Sequence, residues 1–373
     1  MTKTRSSERC AIVGSGLAAL ATYATLRHGG VRPEEIVVFG THEDPTEVWW
    51  TRASAIRQRR MRSESDGHLA AAAFPGLALR EAVRRGTAVP LVASVTNRYR
   101  PRVEDFVEHA RAVLGRSGWE ESFRLQRIER IEPVAGGFEV GGATFTHVLV
   151  ATGHPGLARP DGLPGAVHAY EPHEYASRVA VVGAGMAAAT EWLNALAAGS
   201  EVVSFRRREP LRRPLNVPRP FFSKRGLASF HTLPTERRAA RLRELSAPSF
   251  PAGAAWDDPI RRAERTSQFR VSDSSQTRGW ANGWAEQVIC ATGFRLGFAW
   301  DTLLSDLVEQ NDLETHDRWI VLAPDSTVPA LTDEQRTLSL AGVAGQWSFP
   351  AADTIAGAKY AARAFRRRVC RTR

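Results

Sequence analysis

Cysteine is scarce: Cys10, Cys290 and Cys370 are the only three in 373 residues, they lie far apart, and none forms a C-x-x-C pair. A zinc ribbon and a dithiol–disulfide redox pair are both excluded, and a reducing, cytoplasmic compartment is expected. Lysine is nearly absent as well. Lys3, Lys224 and Lys359 are the only ones, so the net charge of +10 is carried by arginine, interleaved with acids along the whole chain. No basic stripe of the kind that tracks a polyanion emerges, and no nucleic-acid partner is expected. No apolar run reaches the length of a membrane span, and mean hydropathy is −0.28. The apolar stretch near the N-terminus is broken by Gly14 and Gly16, which argues against a signal peptide. Neither a Ser/His/Asp triad nor a carboxylate pair stands out. His68, His173 and His231 lack ligand spacing and read as packing or surface histidines, so no metal is expected.

What the chain does contain is a repeated pattern. Cys10–Val13 is a short apolar run that breaks at Gly14-Ser15-Gly16 and resumes as an Ala/Leu-rich helix to about Arg27; Ile36–Phe39 then gives a second buried strand. This strand, glycine turn, helix, strand order is a βαβ unit and predicts a parallel sheet. The pattern recurs at Val179–Val182, Gly183-Ala184-Gly185, a helix to about Ala198 and a strand from Glu201 to Phe205. Two strands end alike, in Ala151-Thr152-Gly153 and Ala291-Thr292-Gly293. The predicted class is therefore α/β, with two Rossmann-like, doubly wound dinucleotide-binding domains, one inserted in the other. The boundaries read as 1–160, 161–293 with a basic, proline-punctuated insertion at about 206–287, and 294–373. Between the repeats, Arg102–Gly115 has helical spacing, strands are expected around Phe123–Ile131, and a hairpin is expected at Gly136-Gly137 and Gly141-Gly142. The tail from Leu338 reads as a strand and an alanine-rich helix.

Both glycine turns are G-x-G-x-x-A: Gly14, Gly16 and Ala19, then Gly183, Gly185 and Ala188. The glycines admit backbone close to a pyrophosphate, the free N–H groups of the helix start favour its charge, and the alanine lets helix pack on sheet. A tight turn chosen for packing alone is the bland alternative, weakened by the repetition. After the second unit the strand runs into Arg206-Arg207-Arg208, where an acid would favour NAD; arginine favours the 2′-phosphate of NADPH, against the alternative of a solvated basic turn. In the first unit the expected ribose acid is replaced by Gly40, with Glu43 and Asp44 just beyond as residues able to reach back.

These motifs together resemble the two-dinucleotide-domain flavoproteins, and within them the flavin-containing and N-hydroxylating monooxygenases. The resemblance assigns FAD to the first glycine turn, NADPH to the second, and Ala291-Thr292-Gly293-Phe294 to the segment where the chain returns to the FAD domain. It implies cofactor contacts at Trp49, Thr152, Gly153, Thr292, Gly293 and Gly342. Looser echoes are Met61-x-Ser63, Phe74-Pro75 and His173-x-Tyr175. The departures are Gly40, an absent glycine pair before Trp49, and a compact length. The implied reaction is hydride transfer from NADPH to FAD, then formation of a C4a-(hydro)peroxyflavin from molecular oxygen that oxygenates nitrogen or sulfur of a small metabolite. Disulfide reductases of this superfamily are set aside for want of a dithiol. No catalytic residue is singled out, since the cofactor carries the chemistry. Substrate-pocket candidates are Gln58, Met61, Ser63, Asn216, Gln346 and Trp347, with core packing as the alternative for Met61 and Trp347 and a turn for Asn216. A homo-oligomer is compatible with the sequence. Gly40 also sustains a different reading, a non-catalytic nucleotide sensor with weakened FAD binding.

Overall fold

The computed structural model describes residues 9–61, 76–95, 99–163, 165–213, 217–273 and 283–371. His68, Ser63, Phe74-Pro75 and Asn216 lie outside these. The first unit opens with β1 (Cys10–Val13), α1 (Leu17–His28), β2 (Ile36–Gly40) and α2 (Glu47–Ala55). It continues through α3 (Gly76–Arg85), α4 (Val89–Val95), α5 (Val103–Ser117), α6 (Trp119–Ser122) and β3 (Phe123–Leu125). The strands β4 (Ile131–Val134), β5 (Gly137–Val140) and β6 (Ala143–Phe145) precede β7 (His147–Val150). The second unit holds β8 (Val167–His168), β9 (Arg178–Val182), α7 (Met186–Ala197) and β10 (Glu201–Arg206). Then come β11 (Leu211–Arg212), α8 (Lys224–His231), α9 (Thr235–Leu245), β12 (Ser249–Phe250), α10 (Ala254–Arg265), β13 (Phe269–Asp273) and β14 (Gln287–Cys290). A helix at Thr302–Asn311, the ribbon β15 (Thr315–His316) and β16 (Trp319–Ile320), β17 (Thr337–Leu340) and a C-terminal helix Ile355–Arg371 complete the chain.

Two five-stranded parallel sheets result, ordered β17-β7-β1-β2-β3 and β13-β10-β9-β14-β8. The chain leaves the first sheet after β7 and rejoins it with β17, and everything in the second sheet falls between. Both faces of the first sheet are covered, as parallel sheets require. Ala11, Val13, Val37, Phe39, Val148 and Val150 enter one apolar cluster, while Cys10, Ile12, Ile36, Val38 and Leu149 enter another with α1 and the C-terminal helix. This is why the strands read as unbroken apolar runs.

Two details differ from the sequence expectation. Strand structure is not continuous from Phe123 to Ile131: β3 edges the first sheet, the Gln126 N–H donates to Gly40 O (3.0 Å), and an antiparallel meander of β4, β5 and β6 starts at Ile131. The basic stretch after Arg206 also serves both halves. Its last strand, β13, pairs with β10, whereas Leu227, Phe230, Ala239 and Leu242 of α8 and α9 join the same cluster as Val13 and Phe39.

Candidate functional site

In an open α/β sheet, ligands bind beyond the carboxyl ends of the strands where connections depart to opposite sides. In the first sheet that point lies between β1 and β7, and in the second between β9 and β14. The turns found from sequence sit at these two points and are built alike. The Gly14 N–H donates to Phe39 O (2.8 Å) and that of Ala151 to Val13 O (2.7 Å); the counterparts are Gly183 to Phe205 O (2.9 Å) and Ala291 to Val182 O (2.8 Å). Gly14 (φ +114°) and Gly183 (φ +144°) adopt backbone that L side chains avoid, and a Cβ on either would stand 2.3 Å from the carbonyl oxygen of Ala151 or Ala291. Around Gly16 and Gly185 there is open space. Each of these two glycines begins a helix with no side-chain cap and no acid in the first turn, which leaves N–H groups for an anion. Ala19 and Ala188 are fully buried under the helices. The donors and the space fit a dinucleotide in each crevice.

Gly40 has a steric cause. A Cβ there would lie 2.2 Å from both Cβ and Oγ of Ser15, the residue between the first pair of glycines. Ser15 is buried in the place a longer side chain at 40 would need, and its Oγ accepts the His42 N–H (3.3 Å). Asp44 does not reach back: its carboxylate takes the N–H and hydroxyl of Thr46 and pairs with Arg111.

The other sequence candidates are placed as follows. Arg206 folds back, 5.9 Å over the Trp192 ring and paired with Glu209 (2.8 Å), while Arg207 and Arg208 are exposed at the end of β10. Thr152 Oγ1 donates to Asp301 Oδ2 (2.6 Å), Thr292 Oγ1 donates to Ala158 O, and Gly153, Gly293 and Gly342 all have positive φ with open space around them. Trp49 lies on α2 with its ring edge-on to Phe106 at 5.2 Å. Met61 is core, as the packing alternative had it, and Gln58 Nε2 donates to Arg60 O within its own loop. Trp347 is also buried, 1% exposed, and packs in the apolar cluster of the first unit. Gln346 accepts from Trp319 Nε1 (3.3 Å) and lines a cleft with Gly153, Leu296, Phe298, Arg318 and Val343. Gln58, Met61 and Gln346 are thus not gathered in one pocket. Cys10 and Cys290 are buried and Cys370 half-buried, none of them in a disulfide, and no metal-ligating cluster occurs among the described residues. His173 and His231 bond to Glu191 and to Ser348 O.

The segment Ala291-Thr292-Gly293-Phe294 leads into the junction between the sheets, several of whose other members the sequence does not mark. The two connections run antiparallel there: Leu157 bridges Phe294, the Ala158 N–H donates to Gly293 O and that of Arg295 to Gly156 O. Phe294 stacks on His154 (centroids 4.0 Å) and on Tyr170 (4.9 Å), and the Arg52 guanidinium lies over its ring, 4.8 Å from the centroid. Nearby, Glu191 of α7 accepts from Tyr175 (2.8 Å) and bonds His173 (2.9 Å), and Asn194 Nδ2 donates to Ile56 O (2.9 Å), tying α7 to the loop after α2. Burial would push the His173 imidazole down, but the Glu191 carboxylate and the Glu171 carbonyl hold it above the ordinary value. Phe294, His173 and Tyr175 carried a sequence signal, in Ala291-Thr292-Gly293-Phe294 and His173-x-Tyr175; Arg52, His154, Tyr170 and Glu191 are scattered single residues and carried none.

Burial, then the Arg52 charge, pushes His154 down to about 4, and burial with Arg9 does the same to His147. Both stay neutral at pH 7. A folded value below the unfolded one means that their contribution to stability is complete above about 6.5 and is lost as pH falls from there to about 4. The melting temperature is expected to drop across that window, and less so in His154→Phe, which keeps a ring on Phe294 but takes no proton. An identical acid slope in the two proteins would contradict this.

No protein-family model and no curated protein sequence matches the chain. Solved structures do. An ornithine hydroxylase from Pseudomonas aeruginosa superposes with TM-score 0.68 at 16% identity, over 97% of this chain and 99% of that one. An ornithine N-hydroxylase of Kutzneria sp. 744, solved with reduced FAD, NADP+ and L-ornithine, gives 0.70 at 16% over the same shares. This chain has the fold of these two hydroxylases, with one doubly wound unit inserted in the other. A bacillithiol disulfide reductase from Bacillus cereus shares that fold, with TM-score 0.59, 13% identity and 97% and 99% coverage, so the fold alone does not choose between oxygenation and disulfide reduction.

Proposed function

We propose that the protein is an FAD- and NADPH-dependent oxidoreductase, a monooxygenase that oxygenates nitrogen or sulfur of a small metabolite with molecular oxygen. The observation that carries this is the identical construction of the two crevices, Gly14 against Ala151 and Gly183 against Ala291. A protein with one nucleotide to hold has no use for the second. Gly14, Gly16 and Ala19, with Thr152, Gly153 and Gly342, would hold FAD; Gly183, Gly185 and Ala188, with Thr292 and Gly293, would hold NADPH. Bound FAD supplies the redox chemistry, accepting hydride from NADPH and passing electrons to oxygen. The chain's own task is to orient the two cofactors and keep water out, which accounts for the lack of a nucleophile–base pair. The scarcity of accessible thiols favours oxygenation over disulfide reduction.

The test is NADPH-dependent oxygen uptake by FAD-loaded protein over a panel of amines and sulfides, with product mass measured. A product heavier by one oxygen is expected. Stoichiometric hydrogen peroxide with no product would reduce the protein to an NADPH oxidase, and protein that takes up no FAD would remove the proposal.

The exposed pair after β10 carries the coenzyme preference. Arg207→Ala is expected to weaken NADPH binding by about tenfold or more, the size of one charge-assisted hydrogen bond, with little change for NADH. Arg206, already paired with Glu209, is expected to matter less. Equal losses for the two coenzymes in Arg207→Ala would show that this turn does not read the phosphate.

A further inference from the structure

Among the described residues four arginines, Arg52, Arg212, Arg238 and Arg318, are sufficiently desolvated for burial to lower their basicity. Three of them have polar partners in the fold. Arg212 pairs with Asp257, Arg238 donates to the carbonyls of His231 and Leu233, and Arg318 donates to Ser246 Oγ (2.9 Å). Arg52 has neither an ion pair nor a side-chain hydrogen bond among the described residues; its guanidinium lies over the Phe294 ring, 4.8 Å from the centroid, with Tyr170 as a further electrostatic neighbour. A half-buried cation without an acceptor is costly unless something else supplies one. A guanidinium held by an aromatic contact keeps its N–H groups for a bidentate oxyanion.

The position indicates which oxyanion. Arg52 belongs to α2 of the first unit, whereas Phe294 directly follows Ala291-Thr292-Gly293, which closes the second crevice. Arg52 is therefore a first-unit cation held against the residue that follows this closing segment, where the two connections cross.

We infer that Arg52 receives the diphosphate of the nicotinamide coenzyme from across the junction, clamping a ligand held by one unit with a residue of the other. The inference rests on the reading of the second crevice as an NADPH site. It separates two jobs: Arg207 reads the 2′-phosphate and so the kind of coenzyme, while Arg52 reads the diphosphate common to NADP+ and NAD+.

His154 supplies a readout independent of turnover. Its Nδ1 is buried with no hydrogen-bond partner among the described residues, its ring stacks on the same Phe294 that Arg52 lies over, and the Arg52 charge is one of the two causes of its low basicity. An oxyanion that offsets Arg52 makes His154 easier to protonate.

The experiment titrates full-length, FAD-loaded protein with NADP+, NAD+ and adenosine 2′-monophosphate, which lacks the diphosphate, in wild type, Arg52→Gln and Arg52→Lys. In Arg52→Gln the dissociation constants of NADP+ and NAD+ should both rise by about tenfold or more, with that of the monophosphate unchanged and Arg52→Lys intermediate. By NMR, NADP+ should raise the His154 titration midpoint in wild type and leave it unmoved in Arg52→Gln. Wild-type affinity for NADP+ in Arg52→Gln would overturn the inference and leave the proposed function standing. So would a loss shared equally by the monophosphate, which marks a general collapse of the second unit. A wild type that binds none of the three would sink both.

Discussion

Gly183→Ala protein is expected to keep its flavin spectrum and to lose NADP+ affinity by at least about a hundredfold. The Cβ would stand 2.3 Å from the Ala291 carbonyl oxygen, a backbone atom that cannot swing aside, at a φ of +144° that an L residue resists. The turn must move, and with it the N–H groups that would meet the pyrophosphate. Gly14→Ala makes the same clash with Ala151 in the first crevice and should give protein that retains no FAD. The pair tests separability: each substitution removes one nucleotide. Loss of flavin in Gly183→Ala, or full NADP+ affinity in it, would show that the crevices are not assigned as proposed.

The second large effect runs against the usual rule. Restoring the customary acid by Gly40→Asp should lower flavin content and thermal stability, because the new Cβ would sit 2.2 Å from the Ser15 side chain. Ser15→Gly alone should be mild, and the double substitution should recover much of what Gly40→Asp loses. Residues in direct contact couple, and a recovery worth about 1 kcal/mol or more is expected. A Gly40→Asp protein that binds FAD more tightly than wild type would show that position 40 is a lost contact. As it stands, Gly40 is the counterpart of Ser15 and gives no support to a sensor that has shed its flavin.

These two positions also mark what the sequence could and could not convey. The βαβ units were legible because an apolar run, a glycine turn and an alanine-rich helix are local and dictated by backbone sterics. Their repetition announced the doubled architecture, and the Ala-Thr-Gly endings marked the strands beside each turn. Gly40 looked like a defect because its partner, Ser15, lies 25 residues away in sequence and meets it only once β1 and β2 pair. Arg206 looked equivalent to Arg207 and Arg208 because composition cannot tell a side chain folded onto Trp192 from one left in solvent. Met61 and Trp347 were weighed as pocket residues, but burial puts both in the core. Arg52 was invisible: sequence does not tell which arginines lose their water, and among the four described arginines whose burial lowers their basicity only Arg52 has no ion pair or side-chain hydrogen bond, a distinction that exists only in three dimensions.

The central claim is that two nucleotides lie in adjoining crevices so that one can reduce the other, and anaerobic mixing of FAD-loaded protein with NADPH tests it most directly. Bleaching of the oxidised-flavin absorbance near 450 nm, fast in wild type and lost in Gly183→Ala, is the result expected. Protein that holds FAD and binds NADPH while its flavin stays oxidised would contradict it.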